Sequence, residues 1–348
     1  MFDVPEWWFV RLYTGGFAAS DVLVSEVLPP LVAEARAHGA FRWFFIRYTD
    51  PSGPHLRVRV FGPRETVDRM HRSLARVQRH ADAVVAGTGA DPGWLAPFPM
   101  RRMLGDSGTG LASALYEPEY GKYGGAPGVE LAERVFEFSS DLAIWATARF
   151  GKIPERAALA VLLLREAVRA MLEGRPGDLG PEPVMPPADR RRLNVSWDRY
   201  WHRHLAWWTA DLARHAPELQ AQLRLHAERD PHRVRSITGE LHGDSSVDPW
   251  LRRWGQVIDD SLVRAHRMRI GLTPQHLVFH QAHMMMNRLG FLPREEAFLG
   301  VIAAGSPAET SSGSSAGGGT AGGGTAGNGT VGSGTTGSAT VSIRRREQ

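Results

Sequence analysis

The stretch "WFFIRYTDPSGPHLRVRVFG", residues 43–62, holds two runs of strand-favouring side chains on either side of Asp50-Pro51-Ser52-Gly53-Pro54. Aromatic and β-branched residues suit extended backbone, while Pro and Gly interrupt it and allow a reversal. The stretch therefore reads as strands over 42–49 and 55–61 joined by a turn. Within the second strand, period two puts His55, Arg57 and Arg59 on one face and Leu56, Val58 and Val60 on the other. The apolar face belongs against a core. The basic face has two readings: a solvated sheet face, or a preformed clamp, since guanidinium forks bind carboxylates bidentately.

Outward from this hairpin, residues 8–13 alternate as an extended piece. Ser20 or Asp21 can cap a helix over 21–38 that Gly39 ends, and 64–86 is helical. The order β-α-β-β-α predicts an α+β fold, an N-terminal antiparallel sheet with flanking helices. Residues 94–104 are expected to add a strand, and 115–125 reads as an irregular, aromatic-rich loop in which Gly124 and Gly125 free the backbone. Helical patterns follow over 129–150, 154–173, the Trp-rich 197–228, 249–269 and 274–289, so the C-terminal part is largely helical. The Pro/Gly-dense segment 173–189 breaks it as a loop. From Gly305 onward Gly, Ser, Thr and Ala cannot bury enough surface to offset ordering entropy, which predicts a disordered tail closed by the solubilising Arg344, Arg345 and Arg346. The expected organisation is one domain over 1–304 and a low-complexity tail over 305–348.

Composition narrows the chemistry. Of 348 residues 43% are apolar, sufficient for an ordinary core, and the absence of cysteine excludes disulfides, thiolate nucleophiles and Cys-based metal sites. Cytoplasm is the expected compartment, because the N-terminus has no secretory pattern and no uncharged apolar run approaches about 18 residues. The formal charge of +4 is carried almost wholly by arginine, lysine occurring only at 122 and 152. These cations are spread among acids rather than gathered in a stripe, which argues against a nucleic-acid surface. Neither "GTGADPG" at 87–93 nor "GDSGTG" at 105–110 has nucleotide-binding spacing. "SSD" at 139–141 lacks a nucleophile elbow and reads as packing and capping at a helix start. The tryptophans at 197, 201, 207 and 208 read as core filling.

The last predicted helix opens with Thr273 as cap and Pro274 in the first turn. Spacings of three and four align His276, His280, His283 and Asn287 on one stripe. His276 and His280 lack an intervening HExxH glutamate and a third ligand, so no metal is expected. His283 has two readings, a hydrogen-bonded core histidine or a proton-transfer group, and Asn287, one turn on, is a candidate to fix its tautomer.

"WFFIRYTDP…HLRVR" at 43–59, "YEPEYGKYGG" at 116–125, "FEFSSDLAI" at 136–144 and "HMMMNRL" at 283–289 occur in the order found in one family. Over residues 5–303 the chain resembles the C-terminal, glutamate-elimination half of lantibiotic dehydratases, also found as a free-standing protein of thiopeptide biosynthesis. The resemblance implies a cofactor-free lyase. A separate glutamyl-tRNA-dependent enzyme esterifies Ser or Thr of a ribosomal precursor peptide with glutamate, and this module expels the glutamate to leave dehydroalanine or dehydrobutyrine. It implies catalytic roles for Arg57, Arg59 and His283, and substrate contacts from Lys122, Tyr123, Asn287 and Arg288. Lys122 stands where the family has an arginine before its YGG triplet, keeping the charge and losing the fork. The same resemblance admits a pyridine synthase, joining two dehydroalanines with release of the leader, and a third reading is a non-catalytic peptide-binding partner.

Overall fold

The computed structural model describes residues 4–50, 52–87, 109–151, 153–174 and 237–304. The predicted hairpin is present as β2 (Arg42–Asp50) and β3 (Gly53–Gly62), and the first extended piece as β1 (Glu6–Thr14). With β4 (Thr109–Ser113) they form an antiparallel four-stranded sheet in the order β2-β3-β1-β4. The basic strand β3 is thus central, and β2 is an edge. The strand expected over 94–104 lies outside the described residues, and β4 was not foreseen in the Gly-rich run that follows.

Pairing fixes which side chains share a face. Trp8, Val10 and Leu12 of β1 stand beside Val60, Val58 and Leu56 of β3, and Trp43 and Phe45 of β2 continue the same face. All are buried, each large side chain contributing about 1.5–3 kcal/mol of transfer free energy. They pack on a helical layer of α1 (Phe17–Val22), a π-helical turn (Leu23–Val27), α2 (Leu28–Ala37) and α3 (Arg64–Ala86). The first of these helices starts at Phe17 behind Gly16, with no side-chain cap, so Ser20 and Asp21 lie inside it instead of opening it.

The second face carries Phe9, Phe44, Ile46, Arg57 and Arg59. It is covered by the C-terminal helices: α5 (Ala126–Arg149) and α8 (Pro274–Arg288) lie on β2, backed by α6 (Ile153–Glu173), α7 (Asp248–Arg267) and α9 (Pro293–Ala304). Helix α8 begins as expected, with Thr273 extended, its side-chain oxygen accepting from the His276 amide at 3.3 Å, and Pro in the first turn. The loop at 115–125 contains one helical turn, α4 (Tyr120–Tyr123), ended by Gly124 at φ +81. Gly128 lets that turn lie against α5, since a Cβ there would fall 1.6 Å from the Tyr123 carbonyl oxygen.

Ser139, Ser140 and Asp141 sit in the interior of α5, so they cap nothing. The Ser140 hydroxyl donates to the Phe136 carbonyl at 2.7 Å and accepts from the Phe45 amide at 3.2 Å and Arg288 Nε at 3.0 Å, tying α5 to β2 and α8. The Trp-rich run and the tail lie outside the described residues. No helix among the described residues is long and apolar enough to cross a membrane.

Candidate active site

A cavity of about 980 Å³ opens between the second sheet face, the α4 turn and helix α8. Arg57, Arg59, Lys122, Tyr123, His283 and Asn287 all line it. Chain segments more than two hundred residues apart therefore meet at one space. Arg288, expected on the substrate, does not line it.

Arg59 is held by rings. Its guanidinium carbon lies 4.5 Å from the Phe9 ring centre, 4.8 Å from Tyr116 and 5.3 Å from Phe44. Burial lowers its pKa to about 10, Tyr116 opposing in part, so the group is still a cation at neutral pH. Arg57 lies 3.4 Å from the Tyr48 ring centre, and its Nε donates to His55 Nε2 at 3.3 Å. His55 is buried and its pKa is lowered, chiefly by desolvation. The neutral ring then has one consistent arrangement: Nδ1–H donates to the Gly53 carbonyl at 3.1 Å and Nε2 accepts from Arg57. Neither Arg57 nor Arg59 is paired with a carboxylate among the described residues. The solvated-face reading therefore fails, since helices cover this face and Arg59 is buried within it.

Lys122 contributes a weaker cation, its Nζ 3.1 Å from Glu119 Oε2. Tyr123 is buried, and desolvation pushes its hydroxyl above the ordinary value. Next to it Tyr116 donates to Glu133 Oε1 at 2.9 Å, while Arg42 pairs with Glu133 Oε2 at 2.7 Å. Burial nevertheless raises the Glu133 carboxyl.

The stripe on α8 divides. His276 Nε2 is 2.9 Å from the Lys122 carbonyl oxygen and so anchors the α4 turn, while His280 and His283 line the cavity. His283 Nδ1 is 2.8 Å from Oε2 of Glu296, a carboxylate only 1% exposed. The tautomer partner is thus Glu296, not Asn287. Both Asn287 amide groups go to β2: Oδ1 accepts from the Arg47 amide at 2.9 Å and Nδ2 donates to the Arg47 carbonyl at 2.8 Å. Arg288, about 100° further round the helix, is fully buried behind the wall. Its Nη1 donates to Met284 O at 3.1 Å, its guanidinium carbon lies 4.8 Å from the Phe136 ring centre, and desolvation lowers its pKa to about 9. No cluster of three His, Asp or Glu suited to a metal occurs among the described residues.

A helical layer, a four-stranded sheet and a second helical layer enclosing a basic, imidazole-bearing cavity define an α+β protein with an enzyme-like interior site. The model of the family described as lantibiotic biosynthesis dehydratase C-term matches residues 7–305, and the chain belongs to that family. Similar solved structures include the tRNA-dependent lantibiotic dehydratase MibB from Microbispora sp. 107891, at 25% identity and TM-score 0.43, covering 86% of this chain and 27% of that one. The chain thus spans about a quarter of that dehydratase. The pyridine synthase TbtD from thiomuracin biosynthesis is similar at 18% identity and TM-score 0.53, covering 86% of this chain and 96% of that one. TsrL is similar at 16% identity and TM-score 0.54, covering 86% and 94%. No curated protein matches the chain.

Proposed function

We propose that this chain eliminates glutamate from O-glutamylated Ser or Thr of a ribosomally made precursor peptide, with a separate glutamyl-tRNA-dependent enzyme supplying the ester. The observation carrying this reading is the presence, on one cavity, of two guanidiniums without carboxylate partners among the described residues and an imidazole backed by a buried carboxylate. Family membership supports the class of chemistry.

β-Elimination breaks the Cα–H and Cβ–O bonds, forms Cα=Cβ and releases glutamate as a carboxylate. His283, with its Nδ1–H held on Glu296, presents Nε2 as the base that takes the α-proton. Positioned acid–base help of this kind is worth about 10²–10⁴-fold. Negative charge then develops on the adjacent carbonyl oxygen and on the departing carboxylate, and Arg57 and Arg59 are preorganised cations for it. His55 and Tyr48 fix Arg57, and the aromatic cage fixes Arg59, so little reorganisation accompanies reaction.

Incubation with a glutamylated precursor peptide is expected to release glutamate with loss of one glutamic acid's mass. Arg57→Ala and His283→Ala are expected to stay folded and to let glutamylated peptide accumulate, with rates down by about 10²-fold or more. Unchanged turnover in both variants would leave a non-catalytic, peptide-holding partner. One observation favours a second reading: Lys122 replaces the family's forked arginine and is engaged by Glu119. Ring formation with leader release from a dehydrated peptide, and no action on the ester, would establish that pyridine synthase reading instead.

A further inference from the structure

A second basic group lines the same cavity, its Arg47 leaving the edge strand β2 on the opposite face from the clamp. Strand alternation turns Arg47 away from Arg57, because Arg47 is paired with Leu56 and Ile46 with Arg57. Arg47 Nη1 lies 2.7 Å from Asp21 Oδ1, and Arg156 of α6 bonds to Oδ2 of the same carboxylate. Arg47 Nε also donates to the Arg288 carbonyl at 3.0 Å, at the C-terminus of α8. Two guanidiniums thus share one carboxylate, and Asp21, Arg47 and Arg156 all line the cavity.

The donors are not used up. Arg156 is only 1% exposed, yet its Nε and Nη1 have no hydrogen-bond partner among the described residues, and neither has Arg47 Nη2. Buried guanidinium donors left unpaired are costly, and a structural tie needs only the atoms that reach Asp21. A carboxylate has the planar fork and the charge that match the remaining donors and the excess positive charge.

We infer that Arg156 and Arg47, arranged around Asp21, form a second carboxylate subsite in the cavity, which takes the side-chain carboxylate of the glutamyl group or of the glutamate released from it. The identity of that carboxylate rests on the elimination reading; the existence of the subsite does not. The clamp of Arg57 and Arg59 and this subsite together fit the recognition of a dicarboxylic amino acid.

The test titrates the full chain calorimetrically with L-glutamate and with L-glutamine, whose side chain is neutral. The wild type is expected to bind glutamate more tightly. Arg156→Lys keeps the charge beside Asp21 and removes the unpaired fork; Arg156→Met removes both. Each is expected to weaken glutamate about tenfold or more and to leave glutamine unchanged, the effect of losing a charge-assisted pair of hydrogen bonds. Equal binding of the two amino acids by the wild type, or undiminished glutamate binding by a folded Arg156→Lys, would overturn the subsite. Its source is then separated with O-glutamyl and O-glutaminyl serine peptides. A raised KM for the glutamyl ester alone marks use by the bound ester, whereas a change confined to free glutamate and product inhibition marks use by the released amino acid. Absence of turnover on either ester, with the binding difference intact, overturns elimination and leaves the subsite standing.

Discussion

Glu296 is the residue on which the proposed base depends, and spacing alone does not reveal it. It lies thirteen positions beyond His283 on a different helix, across the reversal at Gly290. A partial signal was available in Glu295, which sits at the third position of α9 and accepts from the Leu292 amide at 2.9 Å. Once Glu295 is spent on that helix start, its neighbour is a further acid on a largely buried helix. Glu296→Gln keeps an acceptor and removes the charge, so elimination is expected to slow by about 10–10²-fold with KM little changed. Glu296→Leu removes the acceptor as well. Ring ¹⁵N shifts of His283 are expected to show protonated Nδ1 and unprotonated Nε2 in the wild type, and loss of that preference in Glu296→Leu. A carboxylate serving only to pack α9 would leave both the tautomer and kcat unmoved.

Among the elements, the hairpin was legible because aromatic and β-branched runs flanked a Pro/Gly turn, and α8 because Thr273 and Pro274 fixed its start. Alternation revealed that Arg57 and Arg59 share a face, yet it could not say whether that face met water or protein. That depends on sheet order and on which helices return to cover it. Asn287 illustrates the same limit: its partner is an edge-strand backbone 240 residues away. Those two bonds hold the helix bearing His283 against the strand beside Arg57. Asn287→Leu leaves the Arg47 amide and carbonyl unpaired, and is expected to cost about 1–3 kcal/mol by urea denaturation. It should also lower kcat, because His283 and the arginines then lose their fixed separation. Asn287→Asp keeps only the acceptor and is expected to fall between.

For the molecule as a whole, several groups link stability to pH with opposite signs. His55 has a folded pKa below its ordinary 6.5 through desolvation, so on acidification the unfolded chain takes the proton first. Stability from this group is full above pH 6.5 and declines as pH falls from there toward the depressed folded value. Burial alone would raise the Asp21 carboxyl, but Arg47 and Arg156 outweigh it and hold it below 3.8, so its contribution is lost only as pH falls through that lower region. Glu133, raised above 4.5 by burial, acts the other way and gains from protonation. Urea midpoints measured from pH 7.5 to 5 are expected to fall, and His55→Gln is expected to flatten the decline. The sheet's outer margin has a consequence for assembly. At Phe45 and Arg47 the β2 backbone is already occupied by a hydroxyl from α5 and a carboxamide from α8. A second polypeptide cannot dock there as a further strand, and that border is closed to edge-to-edge polymerisation.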